Sequence, residues 1–262
     1  MLHPIERKKV RAMKKLFAFL PCYNEEQNIG PLIEEWMKQK ETLTNAGFQL
    51  KIIAIDDCST DHTKEQILQK AKLYPEVLLV AHPINKGLCG GLNTALSYFS
   101  VHGKQGDLMA LMDGDNTHDP IYIHPMIARI QEGNDCVIAS RYREDSAVVG
   151  VARHRELMSD MAKIYYTLML RVPGVRDYTC GYRVYTLRLI NRLLERFGND
   201  PIQEKSFACM MELLYRCHLV GADFGEVGFR LRYDFKQGES KMNVFKTMRK
   251  SLTTAIKLRF LK

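Results

Sequence analysis

The first half of the chain alternates short apolar runs with longer amphipathic segments, and this alternation constrains the fold more than any other feature. Apolar runs of roughly 4–8 residues bounded by turn residues are typical of buried strands, whereas apolar residues at i, i+3 and i+4 indicate helices. Strands that alternate with helices favour a parallel, doubly wound α/β sheet. The predicted strands are 15–21, 49–55, 77–81, 107–112 and 135–139, and the predicted helices are 26–40, 63–72, 87–100 and 121–131.

The second half is predicted to be mostly helical. Apolar residues at helical spacing mark 152–171, 187–197 and 207–219, and a further strand is predicted at 224–233. The 262 residues contain no internal repeat and no Gly/Ser-rich linker. We therefore expect a single domain over 1–262, with a functional boundary near 141–150 and a basic helix at 242–262.

Composition excludes several classes of protein. The chain is 46% hydrophobic, which suffices for a full core, yet no run approaches the roughly 18 apolar residues of a membrane-spanning helix. The basic N-terminus has no secretory apolar segment. Seven cysteines without a Cys-x-x-Cys pair favour reduced cytosolic thiols over disulfides or zinc. The net charge of +8 favours polyanionic partners: nucleotide phosphates, anionic lipids or nucleic acids.

Polar clusters stand at the ends of four predicted strands. They are Tyr23-Asn24-Glu25, Asp56-Asp57, Asn85-Lys86-Gly87 and Asp113-Gly114-Asp115. Ligands of doubly wound sheets bind beyond the carboxyl ends of the strands. The coincidence of all four clusters with strand ends therefore predicts a binding site at this edge of the sheet.

The last of these clusters predicts a metal site. Asp113 and Asp115 directly follow an apolar run, and alternate residues of an extended chain point the same way. Mg²⁺ and Mn²⁺ prefer oxygen ligands and typically use one or two carboxylates plus substrate phosphates. An isolated Asp-Gly-Asp is more often a solvated turn. The clusters at the neighbouring strand ends favour the metal site here.

Five motifs occur in order along the chain. They are Pro21 to Glu26 with Asn28, Ile55 to Asp61, Asn85-x-Gly87, Asp113-x-Asp115 and Ser140-Arg141-Tyr142. Together they resemble family 2 glycosyltransferases, most closely the polyprenyl-phosphate branch that is similar to dolichyl-phosphate mannose synthase. The resemblance covers nearly the full length. It implies a GT-A fold, in which a mostly parallel, doubly wound central sheet is flanked by helices and followed by a helical acceptor-binding part.

The resemblance implies that residues 1–140 bind a nucleotide diphosphate-sugar. The implied donor-binding residues are Pro21, Tyr23, Glu25, Asp56, Asp57, Asn85, Gly87, Asp113 and Lys236. The Tyr23 ring would stack on the base, and Asp56 or Asp57 would bind the base or the ribose. Structural roles stay open for Glu25, at a helix N-terminus, and for Gly87, in helix packing.

The same resemblance implies a Mg²⁺ or Mn²⁺ cofactor. The implied metal residues are Asp113, Asp115 and Thr117, and Asp115 is the expected direct ligand. Asp113 is placed to bind either the metal or the ribose. The branch often carries Gln at the position of Thr117, so a hydroxyl or a bound water would replace the amide. The adjacent His118 is expected to be structural.

Residues 141–241 are expected to bind the acceptor. Arg141, Arg155 and Ser159 are the candidate acceptor-phosphate residues. Arg155 and Ser159 are four apart on a predicted helix and therefore share a face. An arginine fork plus a hydroxyl suits a phosphate, and this spacing resembles the branch's acceptor-phosphate element. The alternative is a set of solvated surface arginines.

The implied catalytic residues lie in both halves of the chain. They are Asp113, Asp115, Asp177, Arg183 and Lys241. Asp177 and Arg183 bracket a segment similar to the branch's Asp-x-x-Ser-Gly-Phe-Arg element, and they would bind sugar hydroxyls or pair with each other. The segment 237–241 resembles the family's mobile Gly-x-Ser-Lys loop, in which Lys241, or Lys236 just before it, would meet the donor diphosphate.

The resemblance implies a metal-dependent, inverting transfer of a hexose from a nucleotide diphosphate-sugar to a polyprenyl phosphate. A phosphate acceptor needs no general base, whereas a hydroxyl acceptor, the open alternative, needs a carboxylate such as Asp177 or Glu212. An NDP-sugar nucleotidyltransferase is less favoured, because no Gly-rich loop follows the first strand. A nucleic-acid-binding module would not explain acids at strand ends, so no nucleic-acid partner is expected.

The expected location is cytoplasmic, and attachment to a membrane surface stays open. From 242 to 262 the chain carries six Lys or Arg and no acid, with apolar residues at helical spacing. Such a helix either lies in an anionic membrane interface or docks on the core with a solvated cationic face. The oligomeric state and the identities of sugar, base and lipid are not predicted.

Overall fold

The computed structural model describes residues 13–150, 153–232 and 244–260, with side chains except at 153–157 and 244–248. The strands are β1 Lys14–Cys22, β2 Phe48–Asp56, β3 Val77–Ala81, β4 Leu108–Leu111, β5 Cys136–Ser140, β6 Ala147–Val149, β7 Arg183–Thr186, β8 Phe224–Gly228 and β9 Arg230–Arg232. The helices are α1 Ile29–Lys38, α2 Lys40–Asn45, α3 Thr63–Leu73, α4 Gly87–His102, α5 Ile123–Gln131, α6 Arg153–Leu170, α7 Leu187–Phe197, α8 Cys209–Leu219 and α9 Val244–Arg259.

A seven-stranded sheet in the order β3-β2-β1-β4-β7-β5-β8 forms the centre of the molecule. The pairings β1–β2, β1–β4, β2–β3 and β5–β8 are parallel, and β7 alone among these seven runs antiparallel to its neighbours. Residues 16–20 of β1 are all buried, so both faces of this strand are covered. A strand covered on both faces reads as a continuous apolar run, which is why β1 was recognisable. The α/β prediction is confirmed.

The strand β7 was not predicted. Its four residues begin with Arg183 and show no apolar run, although Val184 and Tyr185 are fully buried. It pairs with β4 on one side and β5 on the other. Because β7 and β8 come from the second half of the chain, one sheet contains strands from both halves.

Two further predictions of element boundaries were wrong. The predicted helix 26–40 begins only at Ile29, after a turn in which Asn24 has a φ of +54°, and a separate α2 follows it. The predicted strand 224–233 is interrupted at Phe229. Beyond that residue β9 leaves the main sheet and pairs in parallel with β6.

The last helix, α9, is docked on the body of the protein. The Tyr166 hydroxyl lies 2.5 Å from Ser251 Oγ, and Ala255 and Leu258 are buried. A cationic face remains exposed, with Lys257 and Arg259 on it. The structure therefore has the docked form of this helix.

Among the described residues, none of the helices combines the length and apolar character needed to cross a bilayer.

Glu204 anchors α9, which gives a prediction for the stability of the protein. It accepts hydrogen bonds from Thr254 Oγ1 at 2.9 Å and pairs with Lys250 Nζ at 3.0 Å. Burial alone would raise the pKa of Glu204, but hydrogen bonds from the Ser206 N–H and hydroxyl, followed by those from Lys250 and Thr254, outweigh this and lower the pKa to about 2. A depressed folded-state pKa stabilises the fold above the unfolded value of about 4.3, and the contribution is lost as the pH falls toward 2.

We expect Glu204→Gln to lower the free energy of unfolding at pH 7 by about 1–3 kcal/mol, because charge-assisted hydrogen bonds to α9 are lost. The difference from the wild type should shrink between pH 5 and pH 2, as measured by urea denaturation. Glu195→Gln, at an exposed position of α7, is the control and should change stability little. A Glu204→Gln deficit that stays constant down to pH 2 would contradict this role.

Candidate active site

The loops that follow β1, β2 and β4 converge at the carboxyl edge of the sheet. Because β1 lies between β2 and β4 in parallel register, its end faces both of their following loops. The Asp57 N–H donates to Cys22 O at 3.0 Å, and the Gly114 N–H donates to Pro21 O at 3.2 Å. The Pro21 carbonyl thus holds the loop that contains Asp113 and Asp115, which we call the acid pair.

Gly114 lets the acid pair approach the end of β1. A Cβ at this position would lie 2.8 Å from Cys22 Cβ and 2.9 Å from Pro21 O, so no side chain fits without a shift. The flanking side chains, Asp113 and Asp115, are partly exposed. Their carboxylates can therefore meet a ligand while Gly114 fixes the turn between them.

The segment around Gly181 lies directly against Asp113. A Cβ at Gly181 would be 2.5 Å from Asp113 Oδ2 and 2.9 Å from Asp113 Cγ. This close approach joins two motifs that are nearly seventy residues apart in the sequence. It also connects the acid pair to the loop of Asp177.

Thr117 orients Asp115. Its hydroxyl donates to Asp115 Oδ1 at 2.7 Å and lies 3.1 Å from His118 Nδ1, and the residue is buried. The role of Thr117 as a third metal ligand stays a prediction, and in this structure its hydroxyl is directed at the Asp115 carboxylate. His118 is buried, stacks on Phe229 with ring centroids 5.3 Å apart, and has the structural position expected of it.

The acid pair fits a hard divalent cation. Asp113 and Asp115 offer carboxylate oxygens at a partly exposed edge, and Asp115 is held by Thr117. No group of three or more His, Cys, Asp and Glu side chains with metal-binding geometry exists within the described ranges. Mg²⁺ and Mn²⁺ sites with few protein ligands are completed by phosphate oxygens and water. The donor set therefore suits a cation that a diphosphate shares.

Asp57 organises the turn before α4. Its Oδ1 lies 2.6 Å from His82 Nδ1 and accepts from the Lys86 N–H at 2.8 Å. Asn85 Nδ2 donates to Asp57 O at 3.1 Å, and Gly87 has a φ of +68°, which glycine adopts readily. Of the predicted donor residues, Asp57, Asn85 and Gly87 thus form one structural unit.

His82 was missed in the sequence. It is buried between Asp57 and Thr94, whose hydroxyl lies 2.8 Å from His82 Nε2, and it directly follows β3. The sequence signal that could have identified His82 is its position immediately after a predicted strand, at the edge of the sheet where a ligand is expected to bind. Asp56, by contrast, is buried at the end of β2 and accepts from the Ser59 N–H at 3.2 Å.

The loop after β1 is fastened to the loop after β2. Asn24 Oδ1 accepts from the Thr60 N–H at 2.8 Å, and the Glu25 N–H donates to Thr63 Oγ1 at 2.7 Å. Glu25 Oε2 accepts from Asn28 Nδ2, so this carboxylate supports the start of α1. Tyr23 is 39% exposed and presents its ring at the rim of the site.

Asp177 and Arg141 form a buried, bidentate ion pair. Arg141 Nε and Nη2 donate to the two carboxylate oxygens at 2.8 and 2.7 Å, and Nη2 also donates to Thr179 Oγ1. Burial would raise the pKa of Asp177, but Arg141 outweighs this and lowers the pKa to about 2. Asp177 is therefore ionised at neutral pH and a weak base. Arg141 keeps 20% of its side chain exposed.

The predicted role of Arg183 at the sugar is corrected. The residue is fully buried, and its guanidinium donates to the carbonyls of Cys180, Met210 and Tyr178 at 2.9, 2.7 and 2.9 Å. Its position at the start of β7 turns the side chain into the core, where it fixes the loop of Asp177 against α8. The alternative of an Asp177–Arg183 pair is wrong, since Asp177 pairs with Arg141.

Ser159 and Arg141 are brought together by Tyr142. The Tyr142 hydroxyl lies 2.6 Å from Ser159 Oγ, and its ring lies 4.4 Å from Lys163 Nζ and 5.5 Å from Arg141 Cζ. The side chain of Arg155 lies outside the described residues, as do Lys236 and Lys241. Glu212, the other candidate base, is buried and pairs with Arg216 at 2.7 Å.

The Gly181 contact predicts the effect of adding one methyl group. Gly181→Ala should displace the Asp113 carboxylate and weaken Mn²⁺ binding in the presence of a nucleoside diphosphate by about 10–100-fold, as loss of a ligand's support typically does. Electron paramagnetic resonance of free Mn²⁺ measures this. Gly30→Ala is the control, because its Cβ meets neighbours at an ordinary 3.5 Å. Unchanged Mn²⁺ affinity in Gly181→Ala would exclude Asp113 from the metal site.

Several solved structures and characterised proteins are similar to this chain. Glucosyl-3-phosphoglycerate synthase from Mycobacterium tuberculosis in complex with phosphoglyceric acid has a TM-score of 0.67 at 17% identity, over 95% of this chain and 81% of that one. The same enzyme in complex with Mn²⁺ and uridine-diphosphate-glucose has a TM-score of 0.66 at 17% identity, over 95% and 80% of the two chains. At this identity the likeness shows the fold, which agrees with the predicted GT-A fold.

The relatives found by sequence similarity give more specific information about the family of this chain. The polyprenol monophosphomannose synthase of Mycolicibacterium smegmatis is 27% identical over 237 residues, which cover 89% of this chain and 83% of that protein. The dolichol-phosphate mannosyltransferase of Pyrococcus furiosus is 28% identical over 205 residues, which cover 77% of this chain but only 53% of that protein. The family model for glycosyl transferase family 2 matches residues 18–194, more than half of the chain. The chain therefore belongs to glycosyl transferase family 2.

Proposed function

We propose that this glycosyltransferase moves a hexose from a nucleotide diphosphate-sugar to a polyprenyl phosphate, with inversion and with Mg²⁺ or Mn²⁺. The contact of Gly181 with Asp113 carries the proposal, because it places the Arg141–Asp177 loop against the acid pair. The names of two sequence relatives, a polyprenol monophosphomannose synthase and a dolichol-phosphate mannosyltransferase, support a lipid-phosphate acceptor. Solved structures of similar fold hold Mn²⁺ and a uridine-diphosphate sugar, which supports the donor.

On the donor side, the chain binds and orients the nucleotide sugar. Tyr23 stacks on the base, and Asp56 accepts a hydrogen bond from the base or ribose. Asp113 and Asp115 would hold a divalent cation, which would supply positive charge to the diphosphate leaving group. Lys236 and Lys241 supply further positive charge to the same oxygens.

On the acceptor side, Arg141, Arg155 and Ser159 bind the acceptor phosphate. A phosphate is already ionised at neutral pH, so its oxygen attacks the anomeric carbon without a general base, from the face opposite the diphosphate. The low pKa of Asp177, about 2, and its pairing with Arg141 suit this role, because the carboxylate holds a cation in place. A hydroxyl acceptor would need a stronger base than Asp177.

An exposed apolar face on α6 suits a lipid acceptor. Met161, Ile164 and Leu168 recur at i, i+3 and i+7 and are 63%, 58% and 67% exposed. They lie on the same helix as Ser159, and α9 packs against this helix, with Ile256 on α9 and Phe260 just beyond its end both exposed. We propose peripheral attachment of this face to the cytoplasmic surface of an anionic membrane.

The acceptor class can be tested with paired assays. We expect transfer from a nucleotide diphosphate-hexose to polyprenyl phosphate, no transfer to soluble sugars, and loss of transfer in EDTA. Arg155→Ala should lower transfer about tenfold or more, because a guanidinium–phosphate contact is typically worth at least 1.4 kcal/mol. The exposed Lys64→Ala is the control. If Asp177→Asn abolished transfer while Arg155→Ala left it unchanged, the proposal of a lipid-phosphate acceptor would be contradicted.

Membrane attachment predicts a vesicle-binding defect. Replacing Met161, Ile164 and Leu168 together by serine should weaken binding to phosphatidylglycerol vesicles more than tenfold. Each apolar side chain that is buried in the membrane contributes about 1.5–3 kcal/mol. Serine at Leu73, Leu78 and Val101, which are comparably exposed elsewhere, is the matched control. Co-sedimentation measures both variants. Equal losses in the two triple variants would show that this face is not the attachment site.

A further inference from the structure

Lys163 borders the proposed acceptor site, and no step proposed above uses it. It lies on α6 four residues after Ser159, so the two residues share one face of the helix. Position 155, four residues before Ser159, falls on the same stripe. The sequence of α6 thus places a lysine next to the two helix positions that are proposed to bind the acceptor phosphate.

The Tyr142 ring brings Lys163 to the other acceptor residues. Lys163 Nζ lies 4.4 Å from the centre of this ring, and Arg141 Cζ lies 5.5 Å from it. The Tyr142 hydroxyl lies 2.6 Å from Ser159 Oγ. A cation within about 6 Å of a ring centre is attracted by the quadrupole of the ring. One half-buried ring therefore gathers an ammonium, a guanidinium and a hydroxyl around it.

The two cations at this ring differ in how their charge is balanced. Arg141 forms a bidentate pair with the buried Asp177, so that pair has no net charge. Within the described residues, no carboxylate forms an ion pair with Lys163, and Asp160 of the same helix is exposed. A phosphate monoester carries a charge of about −1.5 to −2 at neutral pH. Of the two cations, Lys163 is therefore the one whose charge is available to an acceptor phosphate.

Lys163 also lies next to the apolar face of α6. The helical repeat puts it between Ser159 and the exposed Ile164 and Leu168. A half-buried lysine can cover apolar surface with its aliphatic stem while its ammonium reaches a polar group. A polyprenyl phosphate with its chain on this face and its phosphate beside Tyr142 would pass Lys163 where chain and phosphate join.

We infer that the Lys163 ammonium is a further binding group for the phosphate of the polyprenyl phosphate. Tyr142 holds the ammonium in place, and Arg141 and Ser159 contact the same phosphate. The added charge lets the site distinguish a polyprenyl phosphate from an uncharged polyprenol. The inference rests on the proposed transfer to polyprenyl phosphate and adds to it a residue outside the motifs.

Steady-state transfer by the full chain to polyprenyl phosphate in neutral phosphatidylcholine vesicles tests this inference. Lys163→Met keeps the stem and removes the charge. It should raise the KM for polyprenyl phosphate about tenfold, the effect of losing one charge-assisted contact, and leave kcat and the KM for the donor close to wild type. Lys163→Arg, which keeps a cation, should restore most of the acceptor affinity. Lys257→Met, at an exposed position of α9, is the matched control and should keep the wild-type KM.

A wild-type KM for polyprenyl phosphate in Lys163→Met would overturn the inference. Equal increases in Lys163→Met and Lys257→Met would also overturn it, because they indicate general attraction to the vesicle, and so would equal defects in Lys163→Met and Lys163→Arg, which indicate lost packing. Co-sedimentation with phosphatidylglycerol vesicles that lack polyprenyl phosphate is the second arm. Weaker binding of Lys163→Met there, with its KM unchanged, would assign the lysine to bulk lipid headgroups instead.

The wild type separates this inference from the proposed function. If the wild type transfers the hexose to polyprenyl phosphate and only the expected rise in KM is missing, the proposed function stands and the role of Lys163 falls. Absence of transfer by the wild type would contradict the proposed function itself, and this inference with it.

Discussion

Close backbone contact at two glycines is the constraint on which the active site depends. Gly114 presses the acid-pair turn against the end of β1, and Gly181 brings the Asp177 loop onto the Asp113 carboxylate. At Gly114 a Cβ would collide with Cys22 Cβ and the Pro21 carbonyl of β1, and at Gly181 it would collide with the Asp113 carboxylate itself, so a side chain at either position would disturb this arrangement. The parallel register of β1 with β2 and β4 then brings the loops that follow these three strands to the same edge of the sheet.

The Arg141–Asp177 pair determines what chemistry this arrangement can perform. A carboxylate whose pKa is lowered to about 2 remains charged over the whole neutral range and accepts a proton poorly. Removing one partner of such a pair would leave the other charge buried and uncompensated. The pair therefore serves best to hold a cation beside the acid pair, which suits an acceptor that is already an anion.

The alternation of apolar runs and amphipathic segments was sufficient to predict the α/β fold, because the central strands β1 and β4 are buried on both faces. It did not predict β7, whose four residues acquire strand pairing only from β4 and β5. The spacing of the motifs likewise predicted the edge of the sheet at which a ligand is expected to bind, but it did not predict which side chains are buried. Arg183 and Thr117 stand in the expected motifs, yet one side chain turns into the core and the other toward Asp115. His82 belongs to no motif and was missed for that reason.

The most direct test of the central claim is a crystal structure with a nucleoside diphosphate and Mn²⁺, in which anomalous scattering locates the metal. The account predicts one Mn²⁺ within coordination distance of the Asp115 carboxylate, beside Asp113, and bridged to the diphosphate oxygens. A nucleotide bound with its metal away from this edge of the sheet would contradict it.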